Sequence, residues 1–338
     1  MTIKVFEAFA GIGAQAEALK ELGLDYEVVG ISEIDKFAIK GYEAIHGPVM
    51  NYGDIRYIEE LPYCNLLTYS YPCTSVSING RKEGMAEGSG TASSLVWEIG
   101  RLLANGPYMP DVLVMENVDA VLNNRNRAEF DKWIRYLKSL GYTSEYKVLN
   151  AKEYGVPQNR KRIFMVSMLN GKRFTFPEGE GNLFTLRNYL DNTYHGPSQF
   201  YLDKDKLKNY EHFKKPIKSF SNELIQIGDL HKYKMDYMNR VYSINVIAPC
   251  IQTLQGGGRA PKIMVDDGIR YIAPTECLRL QGFPEDAIKK LNDTLSKSQL
   301  YKVAGNSIAV PCLKAIFKAI YIDKRYKIDK YPNKITDY

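Results

Sequence analysis

Short apolar runs alternate with helix-length amphipathic segments through the first half of the chain, and few architectures accept that order. Residues 3–9, 26–32, 66–70, 112–116 and 163–167 are apolar enough to be strands buried on both faces. Residues 14–22, 36–45, 95–103 and 128–140 carry helical periodicity between them, with Gly23 and Gly141 as stops after the first and last. The alternation predicts an α/β fold, a doubly wound, Rossmann-like parallel sheet with helices on both faces. From about Phe174 the pattern breaks into Pro177, the Gly179/Gly181 pair, a Lys-rich stretch and short β-like pieces, so a second, smaller, largely irregular and β domain is expected there. A helical stripe returns at 308–321 and predicts that the C-terminus packs back on the first domain. The expected division is 1–176 plus 300–338 for the first domain and 177–299 for the second with its hinge.

With 338 residues, 45% of them apolar and 25% charged, the chain is long enough for both cores and is neither collagen-like, disordered nor membrane-embedded. No run approaches the ~18 consecutive apolar residues of a spanning helix, and the first residues enter a strand-like stretch without a signal-peptide pattern, so a cytoplasmic protein is expected. Five scattered cysteines (Cys64, Cys73, Cys250, Cys277, Cys312) and four isolated histidines predict a reduced compartment and no metal site. Of the net charge of +6, residues 171–270 supply +4, from 15 basic and 11 acidic side chains interleaved with Phe200, Tyr201, Tyr210, Phe213, Tyr233, Tyr237 and Tyr242. That composition suits a solvated surface and a nucleic-acid face alike.

Four segments carry chemistry. The first runs from strand into helix through Phe9-Ala10-Gly11-Ile12-Gly13, where missing Cβ atoms let a ligand approach the backbone at a helix N-terminus. Glu33 ends the next strand, where an acid can take ribose hydroxyls; the pattern fits nicotinamide dinucleotides and adenosyl cofactors equally. Second, Ser70-Tyr71-Pro72-Cys73 places a thiol at the carboxyl end of a parallel strand, where open α/β sheets put their sites and where a thiolate could attack. Third, Glu116 ends another buried strand, where a carboxylate is costly unless partnered or used. Fourth, Arg160 and Arg162 enter the strand after Gln158, and alternation would send both to one face.

Taken together these blocks resemble the DNA (cytosine, carbon-5) methyltransferases. In that family's order the chain shows Phe9-Ala10-Gly11-Ile12-Gly13, Glu33, Gly53-Asp54-Ile55, Pro72-Cys73, Glu116-Asn117-Val118, Gln158-Asn159-Arg160-Lys161-Arg162, the stretch Pro274-Thr275-Glu276-Cys277-Leu278-Arg279-Leu280-Gln281-Gly282-Phe283-Pro284, and Gly305-Asn306-Ser307. The set spans nearly the whole chain, and its order makes it specific. The resemblance implies an S-adenosylmethionine-dependent methyltransferase domain with a target-recognition domain. Phe9, Ala10, Gly11, Ile12, Gly13, Glu33, Ile34, Asp54, Ile55, Pro72, Leu95, Asn306 and Ser307 would lie around the cofactor, Glu33 on the ribose and Asp54 on the adenine amino group. Cys73 would add to carbon 6 of a flipped cytosine, Glu116 would hold or protonate N3, Arg162 would polarise the exocyclic oxygen, and Gln158 and Arg160 would line the pocket. The loop 74–90, with Gly80, Gly84, Gly88 and Gly90, would close over the base. Ser77, Arg240, Thr253, Leu254, Gly256, Gly257 and Arg259 would meet DNA.

The resemblance further implies double-stranded DNA as partner, a cognate restriction endonuclease in the same system without a stable complex, a monomer, and no membrane. The setting would be a bacterial cell or a phage-infected host. Four positions depart from the pattern: Thr74 replaces a usual glutamine, Ile34 an aromatic residue, and Ala92 and Thr275 arginines. None of these groups makes or breaks bonds. Three other readings stand beside this one. An RNA cytosine methyltransferase would share the catalytic blocks but tends to carry a Cys-Phe-Thr tripeptide, which this sequence lacks. A nicotinamide oxidoreductase would leave Cys73, Glu116 and the arginines unexplained, and a DNA-binding module would leave every bond-making residue without use.

Overall fold

A computed structural model describes residues 2–73, 85–181, 184–191, 200–213, 223–253, 259–266 and 268–328. Contacts divide the chain into two compact units, one of residues 1–149, 161–178 and 313–338, the other of residues 150–160 and 179–312. The linker 150–160 and residues 300–312, expected in the first domain, make their contacts within the second unit.

The first unit opens with β1 (Ile3–Ala8), α1 (Ala14–Glu21), β2 (Tyr26–Ser32), α2 (Lys36–His46) and β3 (Leu66–Tyr69). It continues with α3 (Val96–Asn105), β4 (Val112–Val118), α4 (Asn124–Ser139), β5 (Tyr142–Asn150, its last residue in the second unit), β6 (Lys161–Leu169) and β7 (Lys172–Phe174). The sheet order is β2-β1-β3-β4-β6-β5. Strands β2, β1, β3 and β4 are parallel, and β6 runs antiparallel to β4. The expected parallel sheet holds for β2, β1, β3 and β4 and is departed from at β6: residues 151–160 hold only a single 3-10 turn, too short for the crossover helix that a further parallel strand requires.

The chain winds to one side of β1 through β2 and to the other through β3, so the crevice where such folds bind ligands opens between the carboxyl ends of β1 and β3. Beneath it, one sheet face packs Phe6, Leu67, Tyr69, Leu113, Met115 and Met165 against Ile99, Leu102, Leu103, Phe130, Trp133 and Leu137 of α3 and α4. Gly100 lets these helices close, because a Cβ there would lie 2.8 Å from the Tyr136 ring. Trp133 stacks on Tyr136, meets Trp97 edge-on and donates its Nε1–H to the Tyr69 hydroxyl at 3.2 Å.

A buried acid sits in the strand that carries the glycine turn. Glu7 is fully enclosed, and burial pushes its carboxyl up to about 8, even with the Tyr42 hydroxyl and the Ala16 amide facing it. Folding therefore favours the neutral acid. The stability this contributes is complete below the ordinary value of 4.5 and is lost as pH rises from there through about 8. Glu7→Gln, which keeps the shape without the charge, should gain on the wild type by on the order of a few kcal/mol across that window and then level off. Urea unfolding at pH 5, 7 and 9 checks this; parallel pH curves for the two proteins would show that Glu7 is not a buried neutral acid.

The second unit contains α5 (Lys204–Leu207), β8 (Glu211–His212), β9 (Gln226–Asp229), β10 (Arg240–Ser243), β11 (Lys262–Val265) and β12 (Gly268–Tyr271), then the helices α6 (Pro274–Leu280), α7 (Glu285–Thr294) and α8 (Lys297–Asn306). Its strands form one sheet, β12-β11-β10-β9-β8, over a small core of Leu202, Ile227, Leu230, Val241 and Ile269. The expected C-terminal helix is α9 (Val310–Phe317), which ends in a π-helical turn at Lys318–Ile322; β13 (Tyr326–Ile328) then pairs with β7 in the first unit. The stretch Lys297–Ile322 would be long and apolar enough to cross a bilayer, yet 72% of its most apolar window is buried within the protein.

Candidate functional site

The parallel register sets Ala8, Tyr69 and Met115 side by side, with Met165 of β6 completing the row. The next residues of the three parallel strands, Phe9, Ser70 and Glu116, therefore emerge together at the carboxyl edge. Three of the sequence blocks meet there through topology alone.

At the end of β1 the chain turns sharply. Phe9 (φ 57°), Gly11 (φ 60°) and Gly13 (φ 75°) are all left-handed, and the Phe9 and Ala10 amides donate to the Ser32 carbonyl at 2.7 and 3.3 Å. The two glycines differ in what surrounds them. A Cβ on Gly11 would meet nothing within 4 Å, so the backbone there is open to a ligand. A Cβ on Gly13 would strike His46 at 2.5 Å and Tyr42 at 2.7 Å, so the missing side chain there lets α1 close on α2 and not, as expected, a ligand approach. Ala10 and Ile12 are buried, and Phe9 is half-buried against the core.

Glu33 holds this turn to the end of β2. Its Oε2 accepts from the Gly11 amide at 2.9 Å, and Oε1 accepts from Ile34 and Asp35 at 2.8 Å each. Acceptor capacity remains on Oε2. Ile34 is exposed beside it. Asp54 caps the 3-10 turn Ile55–Tyr57, accepting from the Arg56 amide at 3.0 Å and pairing with the Arg56 guanidinium at 2.5 Å. That guanidinium holds the Asp54 carboxyl below its usual range. Ile55 is buried in the core, and its carbonyl accepts from Arg101 of α3.

The thiol is braced from behind. Asn117 Nδ2 donates to the Tyr71 carbonyl at 2.9 Å, and Ser93 Oγ donates to the Pro72 carbonyl at 2.7 Å, fixing the peptides just before Cys73. Sequence reasoning quoted Asn117 within a block but gave it no role, and it missed Ser93. Leu95 caps α3 and packs on the same core. Of the closing loop, residues 74–84 lie outside the described residues, Ser77 among them. Met85 beyond it is buried, and its carbonyl accepts from Trp97 Nε1 at 3.1 Å. Cys64 and Cys277 are buried with thiols raised by desolvation, Cys64 to about 12, which leaves them poor nucleophiles.

Glu116 is 8% exposed, and its Oε1 lies 3.3 Å from Arg162 Nε. Pairing of Val118 with Arg162 across β4 and β6 puts Arg162 diagonal to Glu116 on the same face. Arg160 does not join them, which corrects the expectation of a shared face. It precedes the first residue of β6, in a turn where its amide donates to Asn150 Oδ1, so no pleat relates it to Arg162. Its guanidinium donates to the carbonyls of Ile251, Gly305 and Ser307 at 2.8, 3.1 and 2.7 Å, all within the second unit. Gln158 is likewise fully buried, donating to the Leu280 carbonyl and accepting from the Ile251 amide. Both residues knit the second unit together.

In that unit Ser307 is buried and Asn306 is exposed, with the Thr253 hydroxyl donating to Asn306 Oδ1 at 2.5 Å. Arg240, expected to meet DNA, is paired with Asp236, while Arg259 is exposed. Leu254, Gly256 and Gly257 fall outside the described residues.

The profile of the C-5 cytosine-specific DNA methylases matches residues 3–322. The type II methyltransferase M2.ScrFI of Lactococcus lactis subsp. cremoris is 30% identical over 94% of this chain and 99% of its own length. The orphan methyltransferase M.SssI of Spiroplasma monobiae is 32% identical over 94% of this chain and 97% of its own. Among solved structures, the Entamoeba histolytica methyltransferase EhMeth superposes with a TM-score of 0.72 at 15% identity, covering 96% of this chain and 99% of that one.

Proposed function

The chain belongs to the C-5 cytosine-specific DNA methylase family and is a DNA (cytosine-5-)-methyltransferase, and from that premise we propose that Cys73, Glu116 and Arg162 carry its chemistry. The observation that supports this most is the convergence at one sheet edge of a braced thiol and a buried carboxylate paired with a half-buried guanidinium. Cytosine carbon 5 is too weak a nucleophile to take a methyl group unaided. The Cys73 thiolate forms a bond to carbon 6, and the electrons of the carbon 5–carbon 6 double bond move toward carbon 5. Glu116 holds or protonates N3, and Arg162 faces the exocyclic oxygen, so charge developing in the ring is stabilised where it arises. After methylation a base removes the carbon-5 proton, the double bond re-forms and the sulfur leaves as thiolate. The target base reaches this edge only by leaving the duplex stack.

S-adenosylmethionine, the cofactor expected for this class, supplies an electrophilic methyl on a sulfonium. The residues present fit it: open backbone at Gly11, acceptor capacity on Glu33, and Asp54 on the neighbouring turn. Because Glu33 also ties Gly11 to β2, Glu33→Ala should both weaken cofactor binding by roughly one to two decades and loosen the turn. Glu33→Gln, which keeps one acceptor oxygen, should lose less. Calorimetry checks both, and unchanged affinity in a folded Ala variant would remove Glu33 from the cofactor site.

The second unit, which holds most of the excess positive charge, is the proposed target-recognition part, with Thr253 and Arg259 at the DNA. The protein would act as a monomer in the cytoplasm of a bacterial or phage-infected cell, with a cognate endonuclease in the same system. Expressing the chain in a methylation-free bacterial host and mapping 5-methylcytosine in its DNA tests the function. Modified cytosines in one sequence context, absent with Cys73→Ser, are expected; methylation confined to RNA would overturn the reading.

A further inference from the structure

We infer that Asn51 is a positioning residue for the cofactor, setting the separation of Glu33 and Asp54. The inference rests on the proposal that those two acids hold the ribose and the adenine. Residues 50–52 lie along the end of β2: the Ile31 amide donates to the Met50 carbonyl at 2.9 Å, and the Tyr52 amide donates to the Ile31 carbonyl at 2.8 Å. With its backbone fixed by this bridge, Asn51 sends one amide group to both acid-bearing segments. Its Oδ1 accepts from the Glu33 amide at 3.2 Å and from the Gly53 amide at 3.0 Å, and its Nδ2 donates to the Glu33 carbonyl at 3.0 Å. Both backbone groups of Glu33, and the amide of the residue before Asp54, thus converge on one side chain.

Other contacts hold the neighbouring residues. Ser32 Oγ donates to the Gly53 carbonyl at 2.7 Å, a second tie between the two segments, and Arg101 holds the carbonyls of Ile55 and Ile58 at 3.2 and 2.8 Å. The turn would therefore survive loss of Asn51 and the segments would stay joined through Ser32, while Glu33 would lose the side chain that holds both its backbone groups and would shift relative to Asp54. Only an uncharged planar group that both donates and accepts satisfies these three bonds. Aspartate keeps the acceptor but turns an oxygen toward the Glu33 carbonyl, whereas glutamine keeps the chemistry at the wrong length.

The test measures steady-state kinetics on duplex DNA for Asn51→Ala, Asn51→Asp, Glu33→Ala and Asp54→Ala, with thermal melting of each. Asn51→Ala and Asn51→Asp are expected to raise the KM for S-adenosylmethionine about tenfold, the scale of one lost hydrogen bond to a charged group. In both, kcat at saturating cofactor and the KM for DNA should stay near wild type. A role confined to folding would instead lower kcat through the active fraction and leave the cofactor KM unmoved, and that outcome overturns the inference. If Glu33→Ala and Asp54→Ala raise the cofactor KM while both Asn51 variants leave it alone, the positioning role fails by itself. If none of the four moves it, the cofactor placement fails first.

Discussion

DNA whose target cytosine carries fluorine at carbon 5 is expected to become covalently linked to this protein through Cys73 Sγ, in a complex that survives denaturation and forms only with S-adenosylmethionine present. Addition of the thiolate to carbon 6 is reversed after methyl transfer only when carbon 5 gives up its hydrogen as a proton. Fluorine cannot leave as a cation, so the sulfur–carbon bond persists. Peptide mapping should place it at Cys73, whose preceding peptides are held by Asn117 and Ser93. Cys73→Ser should abolish the adduct, because a hydroxyl stays protonated near neutral pH. Glu116→Gln should slow its formation by about 10²–10⁴-fold, since an amide cannot supply the proton that stabilises the adding ring. Cys250 is the informative alternative, being the other cysteine that is not fully buried. A link there, or efficient methylation by the serine variant, would remove Cys73 from the mechanism.

The sequence made the sheet legible wherever strands are buried on both faces. The runs 66–70 and 112–116 fall on β3 and β4, buried along nearly their whole length, and the site edge followed from apolar runs that end in Phe9, Ser70 and Glu116. Strand β5 escaped notice because Tyr142–Asn150 sits at the sheet edge, half-buried along most of its length, and has no apolar run to mark it. The direction of β6 is not a matter of periodicity; its only trace was the shortness of 151–160. Arg160 misled for a related reason, since alternation holds only inside a strand and the strand begins one residue later. Asn51 left no periodic signal at all. The local cue was turn chemistry, an Asn-Tyr-Gly-Asp sequence in which a short amide can bond neighbouring backbone.

Arg160 and Arg162 should fail in opposite ways when replaced. Arg162→Met leaves the strand pairing of β6 intact and removes the cation 3.3 Å from Glu116. Loss of one charge-stabilising donor typically costs about 10²–10³-fold in turnover. Arg162 is 19% exposed, so the fold should lose less than a fully buried pair would cost. Arg160→Met removes a guanidinium that is 3% exposed and bonded to the carbonyls of Ile251, Gly305 and Ser307. Gly305 is packed closely there: a Cβ on it would lie 2.4 Å from the Gln252 backbone. The Ile251 carbonyl keeps the Cys250 thiol at 3.7 Å and the Ser307 carbonyl keeps Gln281 Nε2 at 3.5 Å, both long contacts; a buried carbonyl that loses its good donor costs about 1–3 kcal/mol, so several kcal/mol should be lost. Hydrogen exchange should rise selectively across 150–160 and 179–312, while single-turnover chemistry per folded molecule changes far less than in Arg162→Met. Full turnover by Arg162→Met would remove that guanidinium from the catalytic edge, and a wild-type melting curve for Arg160→Met would show that its three carbonyls find other donors.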